Sequence, residues 1–265
     1  MKRKQNNKEK QLSNNLIALF LLMLKYKDNK EFNKLLIKYK QNRDILKRYV
    51  GEIYLKYIKD NKLQMNYGDI HREIKRLESK LKDIGNDLKS QEDILLSYLL
   101  YKVASDSYIM GNSIVNDKMN INQIKNSMIN SIVNNKIDGK DNIKRNKDNK
   151  EKLINRVKNN VKKDFKNGES IEKIYEDIDK GFNIGVNESD RLIDNEIARV
   201  FMGSLMAVYK DNNIDNVMWI SVLEENTCSE CEDLNEQVFK LNDAPIPIID
   251  THVHCQCILV PCVTE

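Results

Sequence analysis

Apolar residues recur along most of this chain at intervals of three and four, the period of a helix that buries one face. Leu12, Leu16, Leu19, Phe20 and Met23 mark one stretch, and Phe32, Leu35, Leu36 and Tyr39 open a second. A third runs through Ile45, Leu46, Tyr49, Val50, Ile53, Tyr54 and Tyr57. The most regular is Ile74, Leu77, Leu81, Ile84 and Leu88, continued by Leu95, which reads as a heptad seam flanked by charge. Such a seam predicts pairing with another helix. The partner is either a returning arm over Ile94 to Ile114, giving a helical hairpin, or a second copy of the chain in a homo-oligomer. Further on, Leu153, Val157, Val161 and Phe165 share one face up to a break at Asn167-Gly168. Ile171, Ile174, Tyr175 and Ile178 predict a short helix, Gly181 and Gly185 bracket a turn, and Ile193, Ile197, Val200, Leu205 and Val208 form a last amphipathic helix. No proline precedes Pro245, so nothing before it forces a helix to break.

Two polar stretches interrupt this pattern. Residues 1–10 read as a disordered basic tail, and residues 134–150, with a turn signal at Asp138-Gly139, as a linker or exposed loop. Beyond Asn213 the period itself changes. Three compact β-type runs, at residues 217–223, 237–241 and 256–260, predict a small antiparallel sheet. So small a sheet is expected to need a metal, a disulfide or a partner, and to unfold from about residue 213 onward without one.

Composition sharpens that boundary. All three prolines, the only tryptophan (Trp219) and all five cysteines lie in the last fifth of the chain, whereas every glycine lies at or before Gly203. Charge is segregated too. Residues 213–265 hold ten carboxylates against one basic residue, Lys240, while residues 1–212 hold 43 Lys and Arg against 30 Asp and Glu, so the net charge of +4 conceals a dipole. A basic body can touch DNA or an acidic protein face, although dense lysine on long helices is commonly just a solvated surface. With 32 % charged and 7 % aromatic residues, the helices are expected to be elongated with modest cores. The longest apolar run, Leu16 to Leu24, is far short of the ~20 residues that cross a bilayer, and no membrane partner is expected. With no secretion signal the expected compartment is the bacterial cytoplasm, where clustered cysteines hold metal more readily than they form disulfides.

The cysteines cluster in a way that carries chemistry. Cys228-Ser-Glu-Cys231 puts two thiols on a tight knuckle, and twenty residues later comes His252-Val-His254-Cys255-Gln-Cys257. Cys228, Cys231, His252 and Cys255 are the expected ligands of a structural zinc ion, with Cys257 or His254 able to substitute. Cys262 reads as an ordinary strand-end residue. Catalysis is not expected. Three thiolates make zinc a poor Lewis acid. Glu224, Glu225, Glu230 and Glu232 are the only nearby candidates for a base, and a Cys–His nucleophile at His252, His254 and Cys255 lacks an orienting third residue. His71 stands alone at the start of the heptad helix. No phosphate-binding glycine loop and no nucleophile elbow occurs.

Taken in order, the features of the last hundred or so residues resemble the head-morphogenesis family of phage minor capsid proteins, the group that includes the phage Mu F-type protein. They are Asn167-Gly168-Glu169-Ser170 before a helix, Ala198-Arg199 within it, Trp219-Ile220 on a strand, Cys228 to Cys231 with Leu234, and His252, Cys255 and Cys257 leading to Pro261. The chain departs from the family pattern with Val200-Phe201 after the Ala-Arg pair, Asn235 after Leu234 and Gln256 between the last cysteines. Residues 1–150 carry no such signature. The resemblance implies a minor head protein of a tailed phage or prophage, present in few copies at the portal vertex or head interior. It would act in head assembly or DNA delivery, contact portal and capsid proteins with weak packaged-DNA contact, and reside in the virion head after assembly in the host cytoplasm. Some relatives append a toxin domain, and with the chain ending at Glu265, eight residues past Cys257, none is expected here.

The combined expectation is a mainly α protein: an elongated helical N-terminal body over 1–133, a linker over 134–150, and a head-morphogenesis-like region over 151–265 that ends in a small α+β domain stapled by zinc at 228–257. The reading from a different class is a zinc-containing nucleic-acid-binding protein that uses its basic helical body.

Overall fold

The computed structural model describes residues 2–60, 62–116, 124–221 and 227–262. It is mainly helical. The helices are α1 (Asn7–Leu24), α2 (Lys30–Tyr57), α3 (Tyr67–Val115), α4 (Asn126–Val133), α5 (Asn142–Asn167), α6 (Ile171–Asp211) and the short α7 (Ser229–Leu234). A two-residue hairpin pairs β1 (Ile58–Lys59) with β2 (Lys62–Leu63), and β3 (Asn216–Ile220), β4 (Val238–Lys240) and β5 (Ile258–Pro261) form an antiparallel sheet in the order β4-β3-β5. The expected strand residues Val222 and Leu223 lie outside the described residues. No helix among the described residues is long and apolar enough to cross a membrane.

Two compact units can be distinguished: Asn29–Leu96 with Asn142–Leu192, and Met1–Asp28 with Ser97–Asp141 and Ile193–Glu265. In the first, α2, α5 and the parts of α3 and α6 that belong to it bury Leu46, Leu77, Leu81, Leu153, Val157 and Ile178. Every seam residue from Ile74 to Leu95 is buried there. The seam is therefore filled by the chain's own helices and offers no free stripe to a second copy.

The expected hairpin is not formed, because α3 continues unbroken through residues 89–93. The gap in hydrophobicity there is filled by buried polar pairs. Lys150 Nζ lies 2.6 Å from Glu92 Oε2, which also accepts a hydrogen bond from Ser189 Oγ, and Tyr39 OH lies 2.8 Å from Ser189 Oγ. Burial lowers the affinity of Lys150 for its proton, but Glu92 beside it more than compensates, and the lysine pKa is raised. The expected linker is also corrected in part. Residues 142–150 are the opening turns of α5, with Asn142, Asn146 and Lys150 buried and Asn146 donating to the Lys89 carbonyl and to Asp93. Nor do Gly181 and Gly185 make a turn. Both lie inside α6, where an added Cβ would stand 2.8 Å from Val157 and 3.0 Å from Leu153, so they let α5 and α6 approach closely. The break after α5 is as expected, with Gly168 in the left-handed region at φ +66.

The second unit contains the sheet. Val217, Met218, Trp219, Ile258, Leu259 and Val260 are 0–1 % exposed. Tyr209 OH donates to the Leu259 carbonyl at 2.7 Å, tying β5 to α6, and β5 also packs on α1. The sheet is thus part of a helical core rather than an isolated appendage. Phe20 and Phe201 stack at 5.0 Å between centroids. The N-terminal residues are ordered, against expectation: Asn6 and Glu9 form a capping box on α1, and Arg3 N donates to the Glu236 carbonyl. Arg199, 1 % exposed, pairs with Glu196 and donates to the carbonyls of Ile132 and Val133 at the end of α4. A buried guanidinium is stable there because both the opposite charge and the orphan helix-end carbonyls satisfy it.

Candidate metal centre

The knuckle is made by a helix start. Cys228 is the N-cap of α7, and its Sγ accepts the Cys231 amide at 3.4 Å, so both thiols emerge on one side of a single turn. The second half of the site follows a loop shaped by short polar side chains. Asp250 Oδ2 accepts from Ile246 N, and Thr251 Oγ1 accepts from Ile248 N. Ile248 sits at φ +70, a strained conformation for a β-branched residue, held by burial at 5 % exposure. Cys255 N then donates to the His252 carbonyl, closing the turn that leads to β5.

These two halves converge. Cys228 Sγ is 3.0 Å and Cys231 Sγ 3.5 Å from His252 Nε2, and Cys231 Sγ is 3.7 Å from Cys255 Sγ. The donors form two groups within 4.8 Å, Cys228 with Cys231 and His252, and Cys231 with Cys255 and Cys257. Cys231 belongs to both. Three of the four expected ligands, Cys228, Cys231 and His252, form one group, while Cys255 meets Cys231 together with Cys257 in the other. His254 is not in either group. Its backbone is in the left-handed region at φ +66, its amide donates to Asn195 Oδ1, and its side chain is exposed. Glu230 and Glu232 are exposed and join neither group, and Glu224 and Glu225 lie outside the described residues. His71 is exposed on α3. Cys262 ends β5 as expected, its amide bonded to the Asn216 carbonyl.

The electrostatics are those of closely crowded thiols. The Cys231 amide lowers the Cys228 pKa, and burial pushes Cys231 up to about 12. A hydrogen bond from Cys257 draws Cys255 down to about 5, and the same contact raises Cys257 itself. Only some of these sulfurs can be ionised together unless a cation takes the place of their protons. His252 Nδ1 lies 2.9 Å from the Val253 carbonyl and donates to it, which leaves the Nε2 lone pair aimed at Cys228 and Cys231. That carbonyl is also the main reason the His252 pKa is raised.

Several supporting residues carry no signal in the sequence. Ser221 Oγ donates to the Cys231 carbonyl and accepts from Cys257 Sγ at 3.6 Å, while Asn235 Oδ1 accepts the Ser221 amide. Asn195 on α6, which anchors His254, is far from the cluster in sequence, and spacing cannot reveal it.

Residues 155–260, which include every one of these donors, match the family model of Phage Mu protein F like protein. This part of the chain is similar to the Phage Mu F-like family. Comparison with curated proteins and with solved structures gives no match. The Phage Mu F-like segment runs from within α5 to β5, so α1 to α4 lie outside it. In this Phage Mu F-like segment the Cys and His groups can hold a metal ion.

Proposed function

We propose that the chain is a minor head protein of a tailed phage or prophage, that it acts in head morphogenesis through contacts with portal and capsid proteins in the virion head, and that Cys228, Cys231, His252 and Cys255 hold a structural zinc ion. The observation that carries this reading is the coincidence of the Phage Mu F-like match with the converging thiols and imidazole.

Zinc fits the donor set. At Zn–S of ~2.3 Å and Zn–N of ~2.0 Å, a tetrahedron separates two sulfurs by ~3.8 Å and a sulfur from a nitrogen by ~3.5 Å. The Cys231–Cys255 and Cys231–His252 separations of 3.7 and 3.5 Å agree with this, the Cys228–His252 separation of 3.0 Å has to open slightly, and Cys255, which is not within 4.8 Å of both Cys228 and His252, has to close in on them. Three thiolates and an imidazole fill all four positions, leaving none for a substrate, and the role is structural rather than catalytic. Delivery of DNA through the portal belongs to the same reading. Purified heads should contain the chain, and a Cys231→Ser variant should be missing from heads while present in the lysate. Heads that lack the wild-type chain would refute the proposal. A regulator-like nucleic-acid-binding protein is the contrasting class, and flanking portal and terminase genes separate it cheaply from the head-protein reading.

A further inference from the structure

Helix α5 divides sharply into two faces. Leu153, Val157, Val161 and Phe165 are buried at every fourth position, with exposures of 0–1 %. The opposite face exposes Lys152, Asn155, Asn159, Lys162, Lys163 and Lys166 at intervals of three and four. Between Lys152 and Lys166 the sole carboxylate is Asp164, which is buried. None of these four lysines forms an ion pair among the described residues. Some exposed helical lysines elsewhere sit beside an acid, as Lys144 does with Asp148, Lys147 with Glu151 and Lys34 with Glu31, while Lys40, Lys75 and Lys82 stand singly on their helices.

The α5 face instead stacks like charges. Lys158, Lys162 and Lys166 follow one another at i,i+4, an arrangement that costs a helix a few tenths of a kcal/mol per pair rather than supporting it. Only Lys158 has an acid across the helix boundary, Glu78 at 3.4 Å. The whole unit that contains this face, residues 29–96 and 142–192, carries 29 Lys and Arg against 21 Asp and Glu. What sets this face apart is the stacking of like charges interleaved with neutral amides, which a repeating polyanion complements by relieving the repulsion and accepting the amide hydrogens.

We propose that this face of α5 binds the phosphate backbone of duplex DNA, independently of sequence. Lys152 to Lys166 covers ~21 Å at 1.5 Å per residue, a length over which one strand of a duplex presents about six phosphates. Lysine ammonium groups form the ionic contacts, and Asn155 and Asn159 donate to phosphate oxygens between them. The contact makes no use of the metal centre and goes beyond the head-protein reading, which rests on the metal cluster and the family match rather than on this lysine face.

The test is fluorescence anisotropy of the full-length zinc-loaded chain with a labelled random duplex of about 30 base pairs at about 50 to 200 mM salt. Four phosphate contacts give a slope of log affinity against log salt near −3.6, which is a loss of about 100-fold over that range. Replacing Lys152, Lys162, Lys163 and Lys166 together by Gln should weaken binding at low salt by at least about tenfold and flatten the slope toward zero. Replacing Lys34, Lys144 and Lys147 together by Gln should change affinity by less than about twofold, since those charges are already balanced. An undetectable wild-type complex at low salt, a quadruple variant that binds as tightly as wild type, or equal competition by polyglutamate would each overturn the proposal. Head incorporation of the quadruple variant is scored separately and should be unchanged, so that failure of the DNA contact is distinguishable from failure of the head-protein reading.

Discussion

Loss of Cys231 should release the segment that carries the metal ligands, β4 included, while leaving the β3–β5 pair beneath it folded. Cys231 is the one donor common to both groups, so Cys231→Ser removes a ligand from whichever set of four the metal takes. The six buried side chains of β3 and β5 gain ~1.5–3 kcal/mol each from burial, or ~9–18 kcal/mol together, and none of that depends on metal. Residues 227–256 are poorer. Leu241 and Ile248 are their only large aliphatic side chains in the buried core, while each ordered residue costs ~1–2 kcal/mol of backbone entropy. Structural zinc contributes an apparent ~10–16 kcal/mol in small domains, and here that is the largest favourable contribution available to the loop. This revises the expectation that the whole region from residue 213 would unfold, because the sheet is covered by α1 and α6. Hydrogen exchange read by peptide mass is the assay. In Cys231→Ser, peptides from 227–256 should exchange quickly, peptides from 214–221 and 258–262 should keep most of their protection, and Trp219 emission should stay native-like. Solvent exposure of Trp219 in step with the loop would refute the reasoning, and so would a loop that stays protected without metal.

Other predictions concern the helical unit and the proposed structural role of the metal centre. Lys150→Met leaves the Glu92 carboxylate buried without its partner and should destabilise that unit by about 3–5 kcal/mol, with much of the loss recovered in Lys150→Met combined with Glu92→Leu, as measured by denaturant unfolding. Burial, helped by Asp177, raises the Asp164 pKa to about 6 from an ordinary 3.8. Because the folded form then holds its proton more tightly than the unfolded form, stability should rise as pH falls from about 7 through 6 toward 4, and Asp164→Asn should remove this dependence from an unfolding titration. Glu224→Gln, Glu225→Gln and Glu230→Gln should leave particle assembly and infectivity within about twofold of wild type, while a block in infection by a variant that still enters heads would reopen a hydrolytic role.

Much of the helical architecture was legible because its buried faces are aliphatic and regularly spaced. Two of the errors share one physical cause, burial of polar residues. Glu92 and Asn146 interrupt the hydrophobic pattern yet lie inside, satisfied by Lys150, Ser189 and Asp93, so Ile94 to Ile114 reads as a returning arm and residues 142–150 as part of the 134–150 linker. Gly181 and Gly185 were misread because a helical glycine at a close crossing has the same sequence signature as one in a turn. At the metal centre the residue types were legible and the choice among neighbours was not. His254 is set aside by its own backbone angle and by Asn195, and neither can be inferred from the spacing His-x-His-Cys-x-Cys.

The central claim is that this knot of thiols and imidazole is a zinc site, and elemental analysis of full-length protein purified without chelator tests it most directly. About one zinc per chain is the predicted result, and less than about 0.2 zinc per chain in otherwise folded protein would contradict it.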